Sequence, residues 1–301
     1  MKETEFIWMD GKLVKWKEAK VHVLVHTLHY GAGVFEGIRF YETAKGPAIF
    51  KLKEHIDRLY YSASCLKMKV PYSKEEFIKA VIETVKVNKI SSGYIRPLCF
   101  FGYGKIGLNP AGAPVNCSIA VWPWGKYLGE DAVKIKTSKY TRIHPKSTHA
   151  DAKICGHYVN SILASIEVKD AGYDEALLLD YKGNVAEGPG ENLFLIKDGK
   201  IFTPPLGTIL KGITRASVIQ LAKDLGIEVV EKSLKLEDVY SADEALFTGT
   251  AAEVTAIASV DDKKIGNKAP GPITTKLKDL FMDIVHGKNE KYKKWLCYVK
   301  E

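Results

Sequence analysis

A chain of 301 residues that is 46% hydrophobic, without a run of eighteen apolar residues, can bury a sizeable core, is long enough for two domains and excludes a helical membrane protein. The start M-K-E-T-E-F-I-W-M-D is too polar for a signal peptide, so a soluble, cytoplasmic protein is expected. Lysines and arginines number 44 against 36 acids, a net charge of +8 that suits anionic ligands, and five cysteines without C-x-x-C spacing argue against structural zinc or a disulfide framework.

Along the chain, His22, His26 and His29 are the nearest thing to a histidine cluster; no carboxylate joins them at metal-ligand spacing, so they read as packing and no metal is expected. Amphipathic helices are predicted near 53–66 and 74–88. The first has the apolar stripe Ile56, Leu59, Tyr60 and Ala63, and sets Glu54 four residues before Arg58, the spacing of a surface ion pair. The segment V-W-P-W-G-K-Y-L-G-E at 121–130 separates two strand-like runs and marks a boundary: a small domain at 1–120, an interdomain loop at 121–131 and a larger domain at 132–301. Helices near 157–170, 214–225 and 273–285 then alternate with strands. The first of these carries the stripe Val159, Ile162, Leu163 and Ile166 and stops at Gly172. Strands are expected over 175–180, over 193–197 leading into the hairpin turn Lys197-Asp198-Gly199-Lys200, and over 245–247.

Four local patterns carry chemistry. Lys153 stands in A-D-A-K-I-C-G-H-Y, where Ala152, Ile154 and Cys155 are small or apolar; such a setting desolvates an amine toward nucleophilicity, the alternative being a lysine snorkelling at a strand edge. Tyr158 follows at a spacing that meets Lys153 only if the chain turns, and Gly156 supplies the turn. Glu187 and Glu191 bracket the turn E-G-P-G-E, whose glycines invite a positive φ and the close approach of a flat or charged group; an ordinary solvated hairpin is the alternative. L-K-G-I-T-R at 210–215 opens a helix with stripe Val218, Leu221, Ala222 and Leu225, so that the Ile213 and Thr214 amides point at an anion. F-T-G-T-A-A-E-V at 247–254 sets Thr248 and Thr250 about Gly249 as a small nest. A nucleophilic lysine, an acid for a ring nitrogen and a phosphate cup are together the requirements of pyridoxal 5'-phosphate.

Seven ordered blocks turn this pattern into a resemblance: H-T-L-H-Y-G-A-G-V-F-E-G-I-R-F-Y at 26–41, E-H-I-D-R-L at 54–59, Y-I-R-P at 94–97, K-I-C-G-H-Y-V-N-S at 153–161, E-G-P-G-E-N-L-F at 187–194, L-K-G-I-T-R at 210–215 and F-T-G-T-A-A-E-V at 247–254. The chain resembles the branched-chain amino acid aminotransferases of pyridoxal phosphate fold-type IV, from its start to about residue 284. The resemblance implies an α+β, two-domain architecture, a small α/β domain and a larger one with a pseudo-barrel of strands. It implies ping-pong transamination between leucine, isoleucine or valine and 2-oxoglutarate. By the same resemblance Lys153 bonds the cofactor and shuttles the proton, Tyr158 meets its phenolic oxygen, Glu187 its ring nitrogen and Leu210 its ring face; Arg58, Ile213, Thr214 and Thr250 hold the phosphate. Tyr94 is expected at the substrate α-carboxylate and Arg96 at the distal carboxylate. Phe35, Trp124 and Tyr127 line the wall, Gly37 leaves room and Ala251 offers its amide, while Tyr30 and Leu108 reach the pocket of a second copy in a dimer or higher homo-oligomer. Arg39 has no assigned role, and Lys211 stands where some members have proline. Two alternatives share the fold, a D-amino acid aminotransferase and an aminodeoxychorismate lyase. A third, from a different class, is a nucleic-acid binder using the lysine- and aromatic-rich tail at 288–300, against which no nucleic-acid motif appears; neither nucleic acid nor membrane is expected as a partner.

Overall fold

The computed structural model describes residues 2–125, 128 and 132–300. Its strands in chain order are β1 (Phe6–Met9), β2 (Lys12–Lys15), β3 (Gly33–Phe35), β4 (Ile38–Tyr41), β5 (Ala48–Phe50), β6 (Gly93–Phe101), β7 (Val115–Trp122), β8 (Ala132–Thr141), β9 (Glu175–Leu179), β10 (Val185–Glu187), β11 (Asn192–Lys197), β12 (Lys200–Thr203), β13 (Val229–Glu231), β14 (Glu244–Gly249), β15 (Glu253–Val260), β16 (Lys263–Lys264) and β17 (Leu296–Tyr298). The helices are α1 (His26–Tyr30), α2 (Leu52–Cys65), α3 (Lys74–Val87), α4 (Tyr158–Asp170), α5 (Ile213–Asp224), α6 (Leu236–Tyr240) and α7 (Pro272–Val285). Every helix expected from periodicity is present within two residues of its predicted ends; the short α1 and α6 carry too few turns to leave a periodic signal.

The chain divides into two compact units, Met1–Gly125 with Ala152–Gly156 and Asp283–Glu301, and Lys126–Asp151 with His157–Met282. A single boundary at 121–131 assigns both Lys153 and the C-terminal stretch to the second domain, and here the structure differs. Backbone pairing is the reason: Ile154 bridges Val34, the Phe35 amide donates to the Lys153 carbonyl at 3.2 Å, and β17 pairs with β5.

In the first unit an eight-stranded sheet runs β17-β5-β4-β6-β7-β1-β2, with β3 also on β6. α2 and α3 pack on it over a core that includes Val34, Ile38, Phe40, Ile56, Leu59, Phe77, Ile95, Cys99 and Val121. Because side chains alternate along a strand, Ile95, Cys99 and Phe101 of β6 join that core while Tyr94 and Arg96 look the other way. β3 and β4 keep one register on β6, with Phe35 opposite Leu98 and Ile38 opposite Ile95. The break between them falls opposite Pro97, which accepts from the Glu36 amide at 2.9 Å and has no N–H to return.

In the second unit six strands close a ring, β10-β9-β8-β15-β14-β11, through the β10–β11 pairing of Glu187 with Asn192; β12, β13 and β16 extend it. This is the expected pseudo-barrel. Val133, Ile135, Leu177, Leu193, Phe247 and Ile257 fill one face, and Ala164 and Val168 of α4 pack on Ala176 and Leu178 of β9. The expected β11–β12 hairpin is present, with Asp198 and Gly199 at φ 49° and 73°, the two left-handed positions that match strand twist.

Candidate active site

On the first unit, the face of the sheet away from α2 and α3 gathers most of the expected substrate residues. The Arg96 guanidinium lies 4.9 Å from the Phe35 ring centroid, 5.3 Å from Tyr94 and 6.0 Å from Trp122, and Tyr94, Trp122 and Trp124 stack on one another at 5.0–5.5 Å. Arg96 Nε is buried without a hydrogen-bond partner. A Cβ on Gly37 would overlap the Tyr94 hydroxyl, so the room this glycine leaves is taken by that phenol. Arg39 is buried and donates to the Gly125 carbonyl at 2.5 Å, tying the sheet to the chain just beyond Trp124. His26 brings Tyr30 and Leu108 into one corner, its ring 4.7 Å from Tyr30 and its Nε2 2.8 Å from the Gly107 carbonyl; Leu108 itself is 88% exposed. Tyr127 lies outside the described residues.

Lys153 is anchored by its main chain, the amide donating to Ser62 Oγ on α2 at 2.9 Å, with its Nζ 4.8 Å from the Phe35 centroid. Ala152 and Ile154 are buried, and burial pushes the Cys155 thiol up to about 11, so the surroundings are as apolar as the sequence suggests. Arg58 is not the surface residue that its spacing from Glu54 suggests, its side chain being 10% exposed. Glu54 pairs with Lys51 at 2.7 Å, and Arg58 turns inward to form a fork on Glu36, Nε to Oε1 at 2.6 Å and Nη2 to Oε2 at 2.9 Å. His55 Nδ1 stands 2.7 Å from Glu36 Oε2. Burial pushes the Glu36 carboxyl up, but Arg58 and His55 outweigh it and hold it well below the carboxylate range. The sequence reading missed Glu36 and His55, since Glu36, which joins them to Arg58, lies at a strand break 22 residues from that arginine.

On the second unit, Glu187 is 4% exposed and surrounded by donors: Arg142 Nε at 2.5 Å, Asn192 Nδ2 at 3.0 Å, and the Leu210 amide at 3.2 and 3.0 Å to its two oxygens. Arg142 and Asn192 were not anticipated, although Asn192 follows the second glutamate directly in E-G-P-G-E-N. Glu191 curls back on its own turn, accepting from the Gly190 amide at 3.0 Å. Neither Gly188 nor Gly190 has a positive φ, and a Cβ on Gly188 would stand 2.8 Å from Glu191 Oε2; the turn is closed on itself there rather than opened to a ligand.

The residues expected to form the cup lie at a helix start and at the end of a strand. Gly212 precedes α5 in extended conformation without a side-chain cap, so the helix presents its first amides, Ile213 and Thr214 among them, to an anion. Thr248 is buried with an unsatisfied hydroxyl at the end of β14, beside half-buried Thr250 and Ala251. Lys211 pairs with Asp151 at 3.0 Å, and Tyr158 opens α4, half-buried. An uncapped helix start, an orphaned hydroxyl and a carboxylate held rigid by donors fit a phosphate ester and a ring nitrogen.

Residues 33–260 match the amino-transferase class IV family. The branched-chain-amino-acid aminotransferase of Pseudomonas aeruginosa is 49% identical over 98% of this chain and 97% of that protein. The T.th. branched-chain amino acid aminotransferase complexed with N-(5'-phosphopyridoxyl)-L-glutamate superposes with a TM-score of 0.97 at 46% identity over 100% of both chains; its form with pyridoxamine 5'-phosphate gives the same values. With this identity over nearly the whole length and a matching fold, the chain belongs to the class IV aminotransferases.

Proposed function

We infer that the protein transfers amino groups between leucine, isoleucine or valine and 2-oxoglutarate, by a ping-pong mechanism with pyridoxal 5'-phosphate. The observation that carries the dual specificity is Arg96: a guanidinium with an unsatisfied Nε lying across aromatic rings gives a distal carboxylate a partner and leaves an apolar wall for a branched chain. The related T.th. structure with a glutamate adduct of the cofactor supports this reading.

The cofactor supplies the reactive carbonyl and an electron-withdrawing ring. Lys153 would hold it through its Nζ amine, which would also carry the proton to and from the substrate α-carbon. Glu187 would accept from the ring nitrogen, and Arg142, Asn192 and the Leu210 amide keep its carboxylate from turning. Tyr158 would meet the phenolic oxygen and Leu210 the ring face, while Arg58, the Ile213 and Thr214 amides and Thr250 would hold the phosphate. Tyr94 and the Ala251 amide orient the substrate among Phe35, Gly37, Trp124 and Tyr127.

The working form is a homodimer or larger assembly in which Tyr30 and Leu108 complete the pocket of a second copy. Exposed apolar side chains support this, Leu28, Tyr30 and Leu108 on the first unit and Val159, Ile162, Leu163 and Ile166 on the second. Among the described residues no helix is long and apolar enough to cross a membrane. The protein works in the cytoplasm, where its five free cysteines stay reduced.

The test is Arg96→Ala, with the two half-reactions measured separately. The loss for 2-oxoglutarate is expected at about 1.5–3 kcal/mol, with leucine affected far less. Equal losses on both substrates would remove the assignment, and a panel of L- and D-amino acids separates this reading from a D-specific enzyme.

A further inference from the structure

Positions 35 to 37 serve two faces of one sheet. Phe35 and Gly37 meet the substrate residues, and Glu36 between them points with Val34 and Ile38 into the core beneath α2. A fully buried carboxylate among apolar side chains costs several kcal/mol unless ion pairing and hydrogen bonds offset it. Glu36 has such partners: Arg58 Nε and Nη2 at 2.6 and 2.9 Å, His55 Nδ1 at 2.7 Å and the Gly37 amide at 3.3 Å. His55 and Arg58 lie on one face of α2, three residues apart, and Ser62 on the same face holds the Lys153 amide. With Glu36 ionised, neutral His55 must carry its proton on Nδ1 to donate, so the histidine seats the carboxylate and the carboxylate fixes the plane of the guanidinium. An arginine held in a planar fork has already lost the rotamer freedom that a mobile one loses on binding an anion.

We propose that Glu36, seated by His55, is a positioning residue for the cofactor phosphate: it orients Arg58, and its carboxylate thereby sets the affinity for the phosphate group. The proposal rests on the reading of Arg58 as a phosphate ligand. Pyridoxal is the control, because it shares the ring and aldehyde and lacks only the phosphate.

The full-length protein, stripped of cofactor, is titrated with pyridoxal 5'-phosphate and with pyridoxal by tryptophan fluorescence, as wild type, Arg58→Ala, Glu36→Gln, the double variant and His55→Gln. Arg58→Ala and Glu36→Gln should each weaken the phosphorylated ligand about tenfold or more and leave pyridoxal within about twofold. The double variant should be no weaker than Arg58→Ala, since Glu36 acts only through that arginine. His55→Gln, which keeps the fork and loses its seat, should show the same selectivity at smaller size and stands in if Glu36→Gln does not fold. If Arg58→Ala weakens pyridoxal phosphate while Glu36→Gln and His55→Gln leave it unchanged, the positioning role is wrong and the phosphate reading of Arg58 stands. Equal losses for both ligands assign Glu36 to the scaffold alone and also overturn the proposal. If Arg58→Ala leaves pyridoxal phosphate binding intact, the Arg58 reading fails and the proposal fails with it.

Discussion

Glu187 accepts from three donors, the Arg142 and Asn192 side chains and the Leu210 amide. This alters what Glu187→Gln does. An amide places its own N–H₂ against one of those donors, leaving a buried pair unsatisfied at about 1–3 kcal/mol, in addition to weakening the hold on the ring nitrogen's proton. We expect proton abstraction in single turnovers to slow by orders of magnitude and the thermal midpoint to fall in the same variant. A normal rate would move the ring-nitrogen role away from Glu187. At His55, burial pulls the pKa below the ordinary 6.5, and Glu36 only partly restores it against the nearby Arg58 and Lys153 cations. A histidine whose folded pKa is depressed contributes stability that is fully present above the unfolded value and is lost as pH falls through the folded one. The midpoint should therefore drop between pH 7.5 and 5.5, and the drop should be shallower in His55→Gln; parallel profiles would show that His55 does not titrate there.

At the scale of elements, periodicity located the helices, while hydrogen bonds set their ends. α3 starts at a capping box the sequence reading passed over: Ser73 Oγ accepts from the Glu76 amide at 3.2 Å, and Glu76 accepts from the Ser73 amide at 2.7 Å. Ser73→Ala should cost about 1 kcal/mol in denaturant unfolding with no change in activity, because α3 serves only the first unit's core. The α4 stripe shows where periodicity stops being informative. Val159, Ile162, Leu163 and Ile166 do share a face, but they are 41–59% exposed, and the buried contacts come from Ala164 and Val168. A 3.6-residue repeat states which residues lie together and not which way they look.

For the whole molecule that outward face is a question of assembly. An exposed apolar helix face on a chain expected to share its pockets between copies predicts that Ile162→Glu yields monomers by light scattering, with activity falling in step with dissociation. A monomeric wild type, or an unchanged assembly in the variant, would remove α4 from the interface. The division of the chain also belongs to this scale. The pairing of Ile154 with Val34 and the hydrogen bonds of Lys153 to Phe35 and Ser62 pack the Lys153 segment with the first unit, and contacts between residues about 90 to 120 apart leave no local trace in the sequence.

The sequence by itself determined the helices, the Asp198–Gly199 hairpin and the class of chemistry. Those depend on local periods, turn residues and short motifs whose members lie within a few positions of one another. Tertiary structure decided which carboxylate holds Arg58, which donors hold Glu187, and whether the α4 stripe is core or surface. Glu54, four residues from Arg58, gave way to Glu36, twenty-two residues away, because an ion pair removed from solvent is far stronger than an exposed one and only folding decides which charges lose their water.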